Sequence, residues 1–319
     1  MKSRRSYLRG VLAGASSAVV LTLLWSMANV AIAENQEEKP NSSGPWVWSA
    51  SGGAVHQFDS DLEDSDGNFS VSRYFMQLSF GYAKDRRNSV SLALGLGESR
   101  YDFSPAAAIG NRDPWENIRD YRLSVPIRYS PSDRANVIVI PSVRSYVEEG
   151  GSLDDGRTEG VIAAAGWKFS DQLTLGPGFG WFSELGGGSS LFPIILVDWK
   201  ITDRLRLSTG QGLAASQGPG LSLDYTLAKG WTIGMTGRYE NTRFALDSDN
   251  ATSGAIGEDS SVPLLLTMGY SPWPMTRLSA VAGVEFAGEL TLEDSGGSTL
   301  ARSDFDNAAV IGLVFSSRF

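Results

Sequence analysis

From residue 46 onward, apolar and polar side chains alternate with a period of two, and this pattern restricts the fold more than any other feature. Between Tyr74 and Tyr82 every second residue is apolar, whereas the residues between them include Gln77 and Ser79. Such alternation points successive side chains to opposite faces of a β-sheet. The same division recurs over residues 121–129, 231–239 and 278–286. The chain is therefore predicted to be all-β, with one apolar and one polar face.

Aromatic residues on the apolar face indicate what that face contacts. Alternation alone fits a soluble sandwich or barrel equally well, since those folds also have one apolar face. Three aromatic pairs lie eight residues apart on one face, namely Tyr74 and Tyr82, Tyr121 and Tyr129, and Trp231 and Tyr239. Eight residues of a tilted strand rise about 20 Å, which is close to the height of the apolar band of a membrane barrel. The spacing favours strands that face lipid.

The connections between the alternating segments predict a topology. Fourteen strand-like segments are joined by alternately short and long connections, and both ends of this region fall on the short side. The longer connections are mostly acidic and lie at 60–68, 104–116, 148–156, 246–260 and 292–304. Short periplasmic turns and long extracellular loops are typical of bacterial outer-membrane barrels. The prediction is a transmembrane antiparallel up-and-down β-barrel of about 14 strands, and 12 or 16 strands would preserve the same alternation.

Five prolines interrupt the strand-like runs: Pro126, Pro141, Pro177, Pro193 and Pro263. Proline has no backbone N–H, whereas a closed barrel uses every donor of its wall. We expect these residues at bulges, at the rim or where a strand bends.

The first 45 residues differ in character from the rest. Residues 2–9 carry four cations, residues 10–33 carry no charge, and Ala31-Ile32-Ala33 has the small-x-small pattern of a cleavage site. We predict a cleaved secretory signal over 1–33, with an uncleaved membrane anchor as the alternative. The Arg4-Arg5 pair also resembles a twin-arginine export signal, a route for folded proteins. Residues 34–45 are polar and rich in breakers, which predicts a flexible periplasmic tether.

The chain ends in an alternating segment whose last residue is aromatic. Phe315 and Phe319 share one face with Ile311 and Leu313, while Ser317 stands where a further aromatic is usual. Together with the prolines and the glycine-aromatic run at 176–181, this ending resembles a family of uncharacterised, porin-like outer-membrane β-barrel proteins, over roughly residues 46–319. The resemblance implies an outer-membrane location, contact with its lipid, and assembly by barrel-assembly machinery that reads Phe315 and Phe319.

Composition excludes several classes of site. The chain has no cysteine and a single histidine, His56, so thiolate and multi-histidine metal sites are not expected. Removing the four cations of the leader from the 27 leaves 23 basic against 36 acidic residues, a net charge of −13, which disfavours nucleic acid as a partner. The acidic segment 59–67 lacks the glycine position of an EF-hand loop. No cofactor and no metal are predicted.

The polar face of the predicted barrel is rich in cations. Nine of them are expected to line the lumen, namely Arg73, Arg122, Arg128, Arg144, Lys168, Lys200, Arg206, Arg238 and Arg277. They face four acids, Asp198, Asp224, Glu240 and Glu285. An open lumen of this kind predicts a porin-like passive channel for small solutes with a mild preference for anions. If the charges pair across a filled lumen, the barrel would instead be a non-conducting structural or surface-interaction protein. The oligomeric state stays open.

An outer-membrane lipid hydrolase is the least favoured reading. His56 falls near the outer end of the first strand, with acidic residues close by. No nucleophile motif accompanies it, and a histidine acts as a base only with a positioned partner and substrate. The sequence therefore predicts a rim histidine without a catalytic role, and a protein that is not an enzyme.

Overall fold

The computed structural model describes residues 45–85, 87–107, 113–209, 220–247 and 254–319, so the predicted leader and nearly all of the tether lie outside it. Its strands are β1 (Trp46–Asp61), β2 (Asn68–Ala83), β3 (Ser89–Phe103), β4 (Asn117–Ser124), β5 (Ile127–Tyr129), β6 (Ala135–Glu148), β7 (Arg157–Lys168), β8 (Leu173–Ser183), β9 (Ser189–Lys200), β10 (Leu205–Thr209), β11 (Gly220–Ala228), β12 (Trp231–Arg238), β13 (Glu240–Ala245), β14 (Ile256–Tyr270), β15 (Thr276–Glu293), β16 (Thr299–Phe305) and β17 (Ala308–Arg318).

These strands form one closed antiparallel barrel of 14 wall strands, because β4 with β5, β12 with β13, and β16 with β17 are each one strand in two segments. The barrel closes where β1 pairs with β17, from Ser49 opposite Arg318 to Gln57 opposite Val310. The last residue takes part, since Phe319 N–H donates to the Trp48 carbonyl at 2.8 Å. The predicted fold class and strand number are confirmed.

The two ends of the barrel differ. The short turns lie at one end of the barrel together with the start of β1 and the end of β17, and we call this the turn end. The longer connections lie at the other end, which we call the loop end. One turn shows how the short connections are fixed, because the Asp85 carboxylate accepts bonds from the Asn88 side chain and from the Arg87 and Asn88 N–H groups. These bonds hold the pKa of Asp85 below its usual value.

The exterior carries the predicted apolar band. Along β2 the outward residues from Tyr74 to Tyr82 are all large, apolar and exposed, with Leu78 at 50%. Aromatic residues gather at the turn end of this band, where Trp46 lies opposite Tyr82 and Trp231 contacts Tyr270 at 4.5 Å between ring centroids. An apolar surface of this size, edged by aromatic residues, suits the lipid and headgroup layers of a bilayer.

The prolines only partly follow the expectation of bulges and bends. Pro126 lies at the break between β4 and β5, and Pro263 follows a bulge between Ser260 and Val262. Pro177 borders an interruption of the β7–β8 pairing. Pro141 lies opposite Val161 in the ladder with β7, but on its other side it faces the break between β4 and β5, where the Val125 N–H donates to the Pro141 carbonyl at 3.0 Å. Pro193 instead lies within the continuous β8–β9 ladder, opposite Phe179.

Two inward-facing glycines make room for aromatic rings inside the barrel. Phe182 and Phe192 stack with 6.2 Å between centroids. A Cβ on Gly160 would lie 1.9 Å from the Phe182 ring, and a Cβ on Gly180 would lie 1.9 Å from the Phe192 ring. Neither glycine has an unusual φ, so the requirement is one of space rather than of backbone conformation.

Gly180→Ala is therefore expected to destabilise the barrel by about 1–3 kcal/mol, because the added methyl group overpacks the interior. Urea unfolding in detergent micelles, followed by heat-modifiable gel migration, measures the loss. Gly237→Ala is the matched control, since its Cβ would meet Leu264 at an ordinary 3.6 Å. Equal stability of the two variants would contradict the packing argument.

Candidate functional site

The interior of the barrel is the candidate site, and its most unusual part is β13. After Tyr239 this strand has no pairing to β11 among the described residues. Its last residue, Ala245, instead forms a parallel bridge with Val147 of β6. Five wall strands, β7 to β11, lie between β6 and β12 along that side of the barrel. The β13–β14 hairpin therefore leaves the wall and crosses the loop end of the lumen.

We call residues 240–245 and 256–261 of this hairpin the plug. Ala245 and Ile256 pack with Leu185, which belongs to the β8–β9 connection. Just beyond β13, the N–H of Asp247 donates to the Glu148 carboxylate of β6 at 2.9 Å. The second oxygen of Glu148 accepts the N–H of Glu116 at 3.1 Å. The plug is thus held against the far wall by apolar packing and by an anchored carboxylate.

An apolar layer lies beneath the plug and closes the lumen further. Phe244 of the plug packs edge-on against Trp115, with 5.1 Å between centroids. Trp115 in turn contacts Phe103 at 5.6 Å and Tyr101 at 5.8 Å. All four side chains are buried, with Phe244 at 0% exposure. These rings belong to one buried cluster that includes Phe69, Val71, Ile118, Leu246, Leu290, Leu292 and Phe305.

A charged layer follows, centred on Arg73 of β2. Its guanidinium lies 2.9 Å from the Asp259 carboxylate and 3.4 Å from that of Glu285. Asp259 belongs to the plug, and it also accepts a bond from the Tyr101 hydroxyl at 2.8 Å. Arg73 donates to the Gln57 side-chain oxygen at 3.4 Å as well. One plug carboxylate is therefore bound by two wall side chains from β2 and β3.

A second charged group joins the plug to β15. Glu258 accepts a bond from the Asn241 side chain at 2.6 Å and lies 3.7 Å from Arg243. Arg243 also pairs with Glu293. Because these groups are largely removed from water, their pairing fixes how the two strands of the plug stand relative to β15.

Six of the nine cations predicted to line the lumen are buried or partly buried on the inward face. Arg73 is described above. Three others each pair with an acid on the same wall strand or the next one: Arg122 with Asp120, Arg206 with Asp198 at 2.6 Å, and Arg238 with Glu240 at 2.6 Å. Arg277 of β15 instead lies 3.7 Å from Asp224 of β11, with two wall strands between them. Arg144 donates to Thr158 at 3.0 Å and lies over the Phe182 ring at 4.4 Å.

The other three predicted cations lie near the turn end. Lys168 pairs with Asp171 in the β7–β8 turn at 2.7 Å, and this contact holds the pKa of Asp171 below its usual value. Lys200 ends β9 and Arg128 lies in β5, both half-buried. The structure thus spreads the nine cations along the wall rather than gathering them in one place.

Sequence reasoning missed several inward acids. Asp120 lies two residues before Arg122, so the same alternation that selected the arginine could have found it. Glu258 and Asp259 were assigned to a long loop, because the outer part of β14 is buried on both faces and shows no alternation. With Glu148 they raise the acids of the interior well above the four counted from sequence.

Small polar residues line the wall toward the turn end. Ser222 and Thr236 share a hydrogen bond of 2.8 Å across β11 and β12. Other inward hydroxyl groups of this kind belong to Ser51, Ser124, Ser142 and Ser208. Such a lining would suit water once the loop end is open.

His56 points away from the lumen. The residues directly before and after it, Val55 and Gln57, are buried on the inward face. Phe58, on the same face as His56, is exposed and contacts the imidazole edge-on at 4.9 Å between ring centroids. The ring shares a hydrogen bond of 2.9 Å with the Ser72 hydroxyl.

Among the residues that the structure describes, no group of three or more His, Cys, Asp or Glu side chains could hold a metal ion. The same residues include no helix long and apolar enough to cross a membrane.

Comparison with known proteins finds similarity of structure only. An outer-membrane channel from Pseudomonas putida F1 matches with a TM-score of 0.48 and 11% identity, covering 89% of this chain and 100% of that one. A FadL homologue from Pseudomonas aeruginosa matches with a TM-score of 0.42 and 14% identity, over 86% and 90% of the two chains. The KdgM porin gives a TM-score of 0.31 and 10% identity, over 83% and 98%. No protein-family model and no curated sequence matches.

The architecture of the barrel follows from its own strand pairing and not from these distant similarities. Closure of 14 antiparallel strands confirms the fold that the sequence resemblance implied.

Proposed function

We propose that the protein is a passive channel of the bacterial outer membrane, described here with its loop end closed. The observation that supports this most directly is the contrast between the two faces of one wall. The outward face is apolar and edged by aromatic residues, whereas the inward face carries paired arginines and hydroxyl groups. Such a lining suits the passage of water and polar solutes. The turn end then faces the periplasm, and the loop end faces outward.

The lumen is proposed to favour anions only weakly. Arg122, Arg206 and Arg238 each have an acid close by, which reduces the field that a permeating ion meets. The sequence count of nine cations against four acids would suggest a stronger preference for anions. Asp120, Glu148 and the acids of the plug offset this excess of cations. His56 faces lipid, so we do not propose an enzyme.

A second candidate function is a non-conducting barrel, and the plug favours it. If the hairpin never leaves the lumen, the protein would act through its loops or as a structural component. Single-channel recording from the refolded chain in planar bilayers separates the two, after heat-modifiable migration has shown a folded barrel. Stable conductance steps support the channel, whereas a folded barrel that stays silent under all conditions supports the second candidate.

Replacing Arg122, Arg128 and Arg238 together by glutamate is expected to reverse the weak anion preference. Each change shifts the local charge by two units, so the anion-to-cation permeability ratio should fall by about a factor of three or more. Reversal potentials across a salt gradient measure this ratio. Arg157→Glu, on the outward rim beside Glu159, is the control and should leave the ratio unchanged. Equal ratios in both variants would remove these arginines from the pathway.

A further inference from the structure

The plug places two chemical groups against the wall that together resemble a small organic acid. One is the Asp259 carboxylate, and the other is the Phe244 phenyl ring. Asp259 and Thr242 are opposite each other across the hairpin, as are Phe244 and Gly257, so both groups lie within the same few residues. Both side chains are buried.

The wall and the β3–β4 connection, which contains Trp115, supply matching partners for both groups. The carboxylate is bound by the Arg73 guanidinium at 2.9 Å and by the Tyr101 hydroxyl at 2.8 Å. The ring packs against Trp115 at 5.1 Å and lies 6.2 Å from the Tyr101 ring. Tyr101 therefore touches both groups, which sets their separation at about the length of one tyrosine side chain. A guanidinium and a hydroxyl beside aromatic rings form a site for an anion attached to a ring.

The plug does not satisfy every donor of this site. The Gln57 side chain is fully buried beside Arg73, and its Nε2 has no hydrogen-bond partner among the described residues. The indole Nε1 of Trp115 also has none within that part of the chain. Buried donors of this kind are usually satisfied in native proteins, so two of them in one site indicate that a further acceptor can bind there.

The charge balance limits the ligand to one carboxylate. Arg73 now faces two acids, Asp259 and Glu285, and departure of the plug removes only the first. A monocarboxylate restores the same balance, whereas a second negative charge would meet Glu285 without compensation.

We infer that this site binds a small aromatic monocarboxylate, and that such a ligand takes the place of Asp259 and Phe244 and thereby displaces the plug. The ligand and the plug exclude each other, because both need Arg73 and Tyr101. A ligand that binds only the open state shifts the population toward it. The inference rests on the proposed channel, since it names the solute class that opens it.

The test uses the absence of cysteine from the native chain. In the full-length variant Ala245→Cys the only thiol lies on the plug, at a position that is 6% exposed. Its alkylation by a water-soluble maleimide reports plug opening and does not depend on ion flow. The probe is 3-phenylpropionate, compared with propionate, which lacks the ring, and 3-phenylpropanol, which lacks the charge. Leu153→Cys, exposed in the β6–β7 connection, controls for effects of the probe on the reagent.

We expect 3-phenylpropionate to accelerate alkylation about tenfold at a concentration about ten times its Kd for the open state. Propionate and 3-phenylpropanol should have little effect. Adding Tyr101→Phe should raise the basal rate, because Asp259 loses a bond, and should also reduce the ligand-induced ratio. A merely structural role of Tyr101 would raise the basal rate and leave that ratio unchanged. If Ala245→Cys does not fold, Leu246→Cys, also buried, replaces it.

The inference is overturned if 3-phenylpropionate leaves the rate unchanged, or if propionate or 3-phenylpropanol accelerates it equally. Its failure is distinct from failure of the channel. Ligand-dependent alkylation in a barrel that never conducts would remove the channel and keep the site. Conductance that appears without any response to the ligand would keep the channel and remove the site.

Discussion

A disulfide between residues 147 and 245 is expected to silence the barrel completely until it is reduced. Val147 and Ala245 are bridge partners between β6 and the plug, and residues paired in this way lie about 5 Å apart, within the range of a disulfide. The cross-link in Val147→Cys/Ala245→Cys would fix the plug across the lumen. Planar-bilayer recordings before and after addition of a reductant measure the effect. We expect no conductance steps in the oxidised protein and native steps after reduction.

The matched control for this cross-link is Ser208→Cys/Ser222→Cys. These serines are opposite each other on β10 and β11, and both are buried on the inward face of the wall. Their disulfide should leave conductance unchanged under both conditions. If the oxidised plug variant conducts like the control, ions pass without movement of the hairpin, and the closed state described here would not be the one that limits flow.

Arg73→Met is expected to lower the free energy of unfolding by about 3–5 kcal/mol, the largest effect of any single substitution proposed here. The change leaves the buried carboxylates of Asp259 and Glu285 without their cation. A buried charge that loses its partner costs far more than the pair itself contributes. Urea unfolding of the micelle-bound barrel, followed by circular dichroism and by heat-modifiable migration, measures the difference.

Two further variants separate burial from charge. Arg302→Met removes an arginine paired with Glu289 near the loop end, where the Arg302 side chain is 62% exposed, and should cost less than about 1 kcal/mol. Arg73→Met combined with Asp259→Asn and Glu285→Gln removes the unpaired charges and should recover most of the lost stability. A single Arg73→Met variant as stable as the Arg302 variant would show that this trio does not hold the interior together.

The wall of the barrel could be predicted from the sequence because each wall strand has one apolar and one polar face. Segments such as Asn68–Ala83 show the period of two along their whole length. The same alternation selected Arg73, Arg122 and Arg238 as inward residues, and the structure buries all three. Where one face of a strand meets apolar surroundings and the other meets polar groups, the local sequence pattern is enough to predict the strand and which side chains face inward.

The plug could not be predicted, and the reason is physical. Residues Ile256–Ser261 are buried on both faces, so the period of two is lost and the segment reads as part of a loop. Their burial depends on contacts with β2 and β3, which are far away in sequence. The pairing of Arg73 with Asp259 was missed for a related reason, since the two residues meet only once the chain has folded across the lumen.

The plug is continuous with the wall through both of its strands, at Tyr239 on one side and Val262 on the other. It is therefore a tethered competitor, present at the Arg73 site at an effective concentration that dilution of the protein does not change. For short tethers this concentration is typically in the millimolar range. A freely diffusing solute must exceed that threshold, scaled by its relative affinity, before the lumen opens. The barrel would then stay shut to traces of a solute and respond only to abundance.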